Sequence, residues 1–321
     1  MIFIKKRASI IKPLALSLLI GLFACTEGAE VQKLQRRVAV TLDDLPAIAE
    51  HDLKLQQQLT QKLLEKLVAA DVPAIGFVNE DKLLDPVNEA GYVALLQAWV
   101  DAGMALGNHT YSHPKFYDSS LGEFKQQLML GERVTKTLFS PKNNGPRYFR
   151  HPYLNTGPDM FTRTAFEQFL AEQGYQVAPV TIDSSEWIYA SAYDRAGKSG
   201  DVSLQKKIGQ DYLRYMQLEF EFYEQLSVDI FQREPAQILL LHANSLNADY
   251  IDQLLSRLTE RGYVFISLGE ALTDPAYQHA DDYVGSAGIS WLQRWWISEG
   301  NNRRTEPRVV DWVRKVAFPG K

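Results

Sequence analysis

The chain has 321 residues, of which 45% are hydrophobic and 23% charged, and its formal net charge is -5. That composition excludes a disordered polymer, a fibre and a multi-span membrane protein, and the length suits one domain of about 200–250 residues with appendages. The mild negative charge gives no reason to expect nucleic acid as a partner, and a polyanionic substrate would meet a slightly unfavourable mean field.

Lys5, Lys6 and Arg7 precede an apolar run over residues 14–23. This is the layout of an export signal and too short for a spanning helix. The run closes on Leu22-Phe23-Ala24-Cys25, and Cys25 is the only cysteine. The stretch resembles a bacterial lipobox, in which the signal is removed and the cysteine lipidated, although Phe23 is uncommon inside that box. The competing reading is an ordinary signal or anchor with an incidental cysteine. Residues 1–24 are therefore expected to be a lipoprotein-type signal peptide and 25–36 a polar tether. Thr26 is not the aspartate that commonly retains lipoproteins in the inner membrane, so the resemblance implies an outer-membrane anchor facing the periplasm. One cysteine cannot form an internal bridge, which leaves core packing and a metal to hold the fold.

Beyond the tether a βα rhythm begins. Residues 37–42 form a predicted strand ending in Asp43-Asp44. Leu59, Leu63, Leu64 and Leu67 give helical spacing over 53–70, closed by Asp71-Val72-Pro73. Predicted strands follow at 74–78, 104–106 and 147–149, with helices at 87–102 and 121–138 between them. A helix over 158–173 opens with Pro158 at the favoured first position. Strands at 177–182, 238–241 and 263–268 and a helix at 249–261 complete the series. Continuous apolar strands alternating with helices argue for parallel strands buried on both faces. About seven repeats predict a barrel related to the (β/α)8 class rather than an open doubly wound sheet, which shares the alternation.

Two stretches depart from the rhythm. Residues 188–235 contain no clear strand, only a helical stretch at about 204–226 with Tyr212, Tyr215, Phe220, Phe222 and Tyr223. It reads as an insertion whose aromatics pack on the barrel rather than as a sugar-stacking surface. Residues 276–321 carry Trp291, Trp295, Trp296 and Trp312, four of the six tryptophans. Tryptophan faces suit sugar rings, but anchoring a C-terminal extension is the preferred reading.

In a parallel βα architecture the working groups gather at the C-terminal ends of strands. Asp43-Asp44 ends the first strand, His109 follows the third, Arg150 to Tyr153 ends the fourth, Asp183 the fifth and His242 the sixth. Two imidazoles four apart, His109 and His113, can meet one metal if the segment turns, and Pro114 favours a turn over a helix. With one carboxylate from another strand end they make a two-nitrogen, one-oxygen set that suits Zn2+, while Co2+ or another divalent metal also fits. Of the adjacent aspartates, one can serve as ligand while the other stays free for proton transfer. Alternatively, one of them only caps the turn at Leu45-Pro46.

These residues resemble the motifs of the polysaccharide deacetylases with a NodB homology domain, carbohydrate esterase family four. The first motif appears as Thr41-Leu42-Asp43-Asp44, the second as His109-Thr110-Tyr111-Ser112-His113 and the third as Arg150-His151-Pro152-Tyr153. The fourth is Asp183-Ser184-Ser185-Glu186-Trp187 and the fifth Leu239-Leu240-Leu241-His242. All five run in the family's order over about 200 residues. Leu42 departs from the usual Phe, and Glu186 from the usual Asp before Trp, a change expected to touch the cleft wall rather than the chemistry.

The resemblance implies a distorted (β/α) barrel of about seven parallel strands over residues 37–275, interrupted by the 188–235 insertion. It implies a metal held by Asp44, His109 and His113, with Asp43 as general base for a water on the metal and His242 as general acid. Tyr153 would contribute its backbone N–H to the oxyanion site. Arg150, paired with Asp183, would hold Asp43, and Trp187, Pro152 and Leu241 would line the acetyl pocket. The expected substrate is an acetylated polysaccharide or oligosaccharide, most simply one containing N-acetylglucosamine. Two other functions compete: an O-acetyl esterase on acetylxylan-like glycans, and a non-catalytic carbohydrate-binding envelope lipoprotein on the same fold. Metal-independent hydrolysis is disfavoured by the intact Asp-His-His set.

Overall fold

The computed structural model describes residues 1–2, 35–47, 52–138 and 147–320. The export signal, Cys25 and most of the tether fall outside them. The chain divides into Met1–Leu34 and one compact unit, Gln35–Lys321. Among the described residues no helix is long and apolar enough to cross a membrane.

The first half of the compact unit contains β1 (Arg36–Leu45), α1 (Leu53–Ala69), β2 (Ile75–Val78), α2 (Glu89–Asp101), β3 (Ala105–Asn108), α3 (Leu121–Leu130), α4 (Thr135–Leu138) and β4 (Arg147–Phe149). The second half contains α5 (Met160–Glu172), β5 (Tyr175–Val177), α6 (Glu186–Lys198), α7 (Val202–Phe231), β6 (Gln237–His242), α8 (Ser245–Glu260), β7 (Tyr263–Phe265), α9 (Leu268–Ala271), α10 (Trp291–Ser298) and α11 (Asp311–Ala317). The strands pair in parallel in the order β5-β4-β3-β2-β1-β6, with β7 on the first residues of β1. After β5 the chain crosses to the far side of the series. Ile182 bridges Leu239 of β6, and its carbonyl accepts the Leu240 N–H at 3.1 Å. The result is the distorted (β/α) barrel that the motifs implied.

Central strands are apolar on both faces because helices cover one side and the barrel interior the other. Val38, Val40 and Leu42 of β1 and Ile238, Leu239 and Leu241 of β6 are buried, as are Leu63 and Leu67 of α1 and Leu254, Leu255 and Leu258 of α8. Each such side chain contributes about 1.5–3 kcal/mol relative to exposure.

Several predicted elements change at their ends, and four of them show a local reason. The strand expected at 177–182 overlaps β5 only at Val177: after Ala178, whose N–H still reaches the Phe149 carbonyl at 2.8 Å, the chain leaves β4 and meets β6 through sparse hydrogen bonds at Thr181 and Ile182. The helix at 121–138 breaks at Gly131, where a Cβ would stand 2.6 Å from the Thr110 carbonyl carbon. That close approach lets the histidine-bearing loop lie against the turn. The helix at 158–173 begins at Met160, because Asp159 takes the cap and accepts the Thr162 N–H at 2.8 Å, which leaves Pro158 outside. The helix at 249–261 begins earlier, at Ser245, because Asn244 caps it by accepting the Asn247 N–H at 2.8 Å.

In the insertion, Tyr212, Tyr215, Phe220 and Tyr223 of α7 are buried against the barrel. Trp291 and Trp295 of α10 are buried too, and Trp295 meets Phe231 and Tyr277 edge-on at 5.6 and 5.7 Å.

Candidate active site

One side of the site is made by the ends of β1, β3 and β4. At Asp44 the backbone enters the left-handed region (φ 68°), and the register of β1 against β2 shifts between Leu42 and Leu45. The break in the strand brings two adjacent carboxylates to one place, where a regular strand would send them to opposite faces. His113 Nε2 lies 3.6 Å and His109 Nε2 3.9 Å from Asp44 Oδ1, and one ligand atom from each residue lies within 4.8 Å of the others. Donors around a tetrahedral zinc with bonds of about 2.0–2.1 Å stand roughly 3.4 Å apart, so small rotations close this set on a divalent metal.

The chemistry of the donors also fits. His109 Nδ1 lies 2.8 Å from the Arg150 carbonyl, an arrangement that leaves Nε2 free to ligate. Burial pushes both imidazoles down to about 4, so each is a neutral ligand at pH 7. Burial by itself would raise the Asp44 carboxyl, but Lys82 and the two histidines outweigh it and hold the group well below the usual carboxylate range. Lys82 Nζ sits 3.4 Å from Asp44 Oδ1 and donates to the Asp44 carbonyl at 3.0 Å.

The loop that carries the histidines is tightly held. The Asn79 amide donates to the His109 carbonyl (2.6 Å), Asn108 donates to the Leu128 carbonyl (2.9 Å) and accepts the Thr110 N–H (2.7 Å), and Thr110 Oγ1 accepts the His113 N–H (3.1 Å). Of the eight non-glycine residues with positive φ among the described residues, five stand in the loops of the site: Asp44, Thr110, His113, Tyr153 and Leu154. Such conformations cost of order 1–3 kcal/mol each and gather where the surroundings over-determine them.

Asp43 is buried 3.7 Å from His109 Nε2. Both of its carboxylate oxygens face Arg150 Nη1, at 3.2 and 3.3 Å. Arg150 is fully buried, donates also to Thr41 Oγ1 (3.1 Å) and the Ala178 carbonyl (2.8 Å), and lies 4.6 Å over the Phe77 ring. Burial raises the Asp43 carboxyl above its ordinary value, while Arg150 opposes the shift. The expected pairing of Arg150 with Asp183 does not occur: Arg150 holds Asp43 directly, and its remaining donors are taken by Thr41 and Ala178. Asp183 lines the cleft, accepts the Ser184 N–H at 2.8 Å, and is pushed up by burial to about 6.

The opposite wall comes from β6, α6 and α7. His242 Nδ1 meets the Glu186 carboxylate at 2.8 Å. The other oxygen of buried Glu186 accepts from the amides of Asn244 and Asn247, the latter at 2.7 Å. Burial disfavours the imidazolium, but Glu186 overcomes it and His242 is raised to about 9. Glu186, expected to touch only the cleft wall, is thus the partner of His242. Its position in the fourth motif was visible in the sequence, but the pairing needed α6 folded against β6.

These groups open into one cavity of about 1080 Å³, which also takes in Tyr153, Leu154, Trp187, Glu219, Tyr223 and Leu240. Tyr153, at φ 55°, packs its ring edge-on against His113 at 4.4 Å. Trp187 is half exposed and rests on Phe318 at 5.9 Å. Leu241 and Pro152 do not line the cavity. Alternation along β6 turns Leu240 inward instead, and Pro152 is buried in the turn beneath Tyr153. His151 points away, buried among Phe116, Phe124, Phe149 and Phe166 at ring distances of 4.9–6.2 Å. Burial holds it well below the ordinary histidine value.

The structure is thus a parallel βα barrel that carries, at its strand ends, a carboxylate and two histidines able to hold a divalent metal. Residues 30–178 match the family model for polysaccharide deacetylases, the family whose motifs the sequence resembles. Over 236 residues it is 21% identical to a peptidoglycan-N-acetylglucosamine deacetylase of Bacillus cereus, an alignment covering 72% of this chain and 66% of that one. It is also 21% identical over 238 residues to the Listeria monocytogenes deacetylase PgdA, covering 74% of this chain and 39% of the relative. The chain thus spans less than two thirds of the length of either. Among solved structures, a mutant of a CE4 family pseudoenzyme from Bacillus anthracis superposes with a TM-score of 0.50 at 20% identity, covering 74% of this chain and 68% of that one. That likeness concerns the fold.

Proposed function

We propose that the protein is a metal-dependent hydrolase that removes acetyl groups from a polysaccharide, with N-acetylglucosamine-containing polymers as the first substrates to test. One observation carries this reading: a second buried carboxylate, Asp43, held by Arg150, stands beside the Asp44-His109-His113 set and faces the His242-Glu186 pair across one cleft.

Asp44, His109 and His113 would hold the ion, preferably Zn2+, which when bound supplies Lewis-acid activation of water and of the acetyl carbonyl. Asp43 takes a proton from the attacking water. Its burial favours the protonated product, and Arg150 keeps the carboxylate aimed and ionised beforehand. Tyr153 supplies a backbone N–H toward the developing oxyanion. His242, protonated through Glu186, gives its proton to the leaving nitrogen. Trp187 and Leu240 wall the acetyl group, and Asp183 shapes the floor beside them. Cys25 would be lipidated after removal of residues 1–24, anchoring the protein at the outer membrane facing the periplasm. A Cys25→Ala chain that stays in the membrane fraction would remove that part.

The test is acetate release by the metal-loaded protein from N-acetylglucosamine oligomers, peptidoglycan and acetylxylan. Release from the first two supports the N-deacetylase. Release from acetylxylan alone selects the O-acetyl esterase, and none from any glycan despite full metal occupancy selects the non-catalytic binding protein.

A further inference from the structure

The segment that follows α10 brings its own charge to the cleft. Arg303, Arg304, Arg308 and Arg314, all the arginines between 303 and 314, line the cavity. Residues 301–310 have neither helix nor strand, yet side chains fix them in place. The buried Gln293 amide accepts the Arg304 N–H at 3.1 Å and donates to the Arg304 carbonyl at 2.8 Å. Trp296 donates to the Asn302 carbonyl at 3.0 Å, and the Arg304 guanidinium lies 4.3 Å over its ring.

Two of the four arginines already have acids: Arg303 pairs with Glu306 at 2.7 Å and Arg304 with Asp229. The other two do not. Among the described residues, neither Arg308 nor Arg314 has a carboxylate within ion-pair distance, and Arg314 only donates to the Val309 carbonyl at 3.3 Å. The acids nearby offset them only in part: Asp183 lines the same cavity and, among the described residues, has no ion-pair partner, so it sets one negative charge against these two arginines. Asp43 is taken up by Arg150 and Asp44 by Lys82. Glu219 in the α7 wall is raised by burial to about 8, so it is mostly neutral at pH 7. The mouth of the cleft therefore carries spare positive charge in a chain whose net charge is -5.

We propose that Arg308 and Arg314 make this cleft selective for an acidic acetylated glycan, one with a carboxylate on a sugar flanking the acetylated residue. A guanidinium presents a planar fork that matches a carboxylate with two parallel hydrogen bonds. A neutral glycan leaves both forks to water. The carboxylate can belong to a uronic acid in the chain or to a lactyl ether on an amino sugar. The proposal rests on the deacetylase reading given above.

The experiment compares acetate release by the full, Zn2+-loaded protein from three oligosaccharide sets of equal length: neutral N-acetylglucosamine oligomers, oligomers alternating N-acetylglucosamine with a uronic acid, and oligomers bearing lactyl ethers. Exposed ion pairs are individually weak, so two of them predict a preference of about fivefold to tenfold in kcat/KM at low ionic strength, shrinking as salt is added. The larger preference among the two acidic sets names the source of the carboxylate. The double variant R308Q/R314Q is expected to bring acidic and neutral sets to parity while leaving the neutral rate unchanged. Equal rates in the unaltered protein, or a preference that survives in the double variant, overturn the proposal. If no set releases acetate, it is the deacetylase reading that fails, and binding decides the rim. Tighter binding of acidic oligomers that is lost in R308Q/R314Q supports it, and equal binding overturns it.

Discussion

The two walls of the cleft are built by different physical means. The wall from β1, β3 and β4 places its groups by backbone geometry: Asp44, His113 and Tyr153 sit in left-handed conformations, and side-chain to main-chain hydrogen bonds hold the histidine-bearing loop. The facing wall places its groups through side chains that meet across long sequence distances. His242 finds Glu186, 56 residues earlier, and Arg304 finds Asp229, 75 residues earlier. The first wall lies within the region matching the family model, and the second lies beyond it. Ligand geometry tolerates little change, so it is built into local motifs. Proton supply and substrate fit can be rebuilt from whatever the later segments provide.

Breaking the first wall should have the largest effects. Chelation, or His109→Ala, is expected to abolish acetate release, with recovery on adding Zn2+ or Co2+ only for the unaltered chain. Metal content measured alongside activity checks this, and turnover by metal-free protein would overturn the role of the ion. Asp43→Asn should follow, lowering kcat by about 10²–10⁴, the usual contribution of a positioned base, while metal stoichiometry stays at the parent value. A variant that remains active would move the base elsewhere.

The second wall should respond through pH. With His242 raised to about 9, the protonated acid persists through neutral pH and activity should fall as pH rises through that value. In Glu186→Gln the fall should come earlier, nearer the ordinary histidine value of about 6.5. The pair's contribution to stability has the same sign. It is fully present below about 6.5 and lost as pH rises through about 9, which urea melts at several pH values can follow. An unmoved basic limb in Glu186→Gln would separate His242 from the acid role.

The smallest effect sharpens how the walls are joined. A Cβ at Gly288 would fall 1.6 Å from the Tyr153 carbonyl oxygen, and the Asn155 amide donates to the neighbouring Gly285 carbonyl at 3.0 Å. Gly288→Ala must therefore displace the Tyr153 turn. We expect a cost of about 1–3 kcal/mol in stability, typical of overpacking, and a several-fold loss in kcat with metal content unchanged. A normal melting temperature together with normal kcat would show that the two turns are not mechanically linked.

Much of this was legible in the chain itself. Apolar strand runs and leucine spacing in α1 reveal burial directly, so the alternation of elements could be read without tertiary information. The candidate metal set was legible because its residues lie in short motifs at strand ends. Glu186 was legible as a cleft residue but not as a partner, since nothing local links it to position 242. The Arg150 partner was misread for a similar reason. A guanidinium has several donors, and only the packed barrel decides that Asp43, Thr41 and Ala178 take them.

By itself, then, the sequence determined the parallel βα architecture and, through its motif resemblance, the Asp-His-His set with a second aspartate beside it, because each is written in short motifs at strand ends. Tertiary structure decided how both aspartates reach one place, through the left-handed turn at Asp44. It also decided which carboxylate serves His242 and which residues face inward along β6. A net charge of -5 suggested a mean field opposed to anions, yet folding gathers four arginines at the cleft and neutralises only two of them. Net charge is a sum over the whole surface, whereas a ligand responds to the few groups within a Debye length of where it binds.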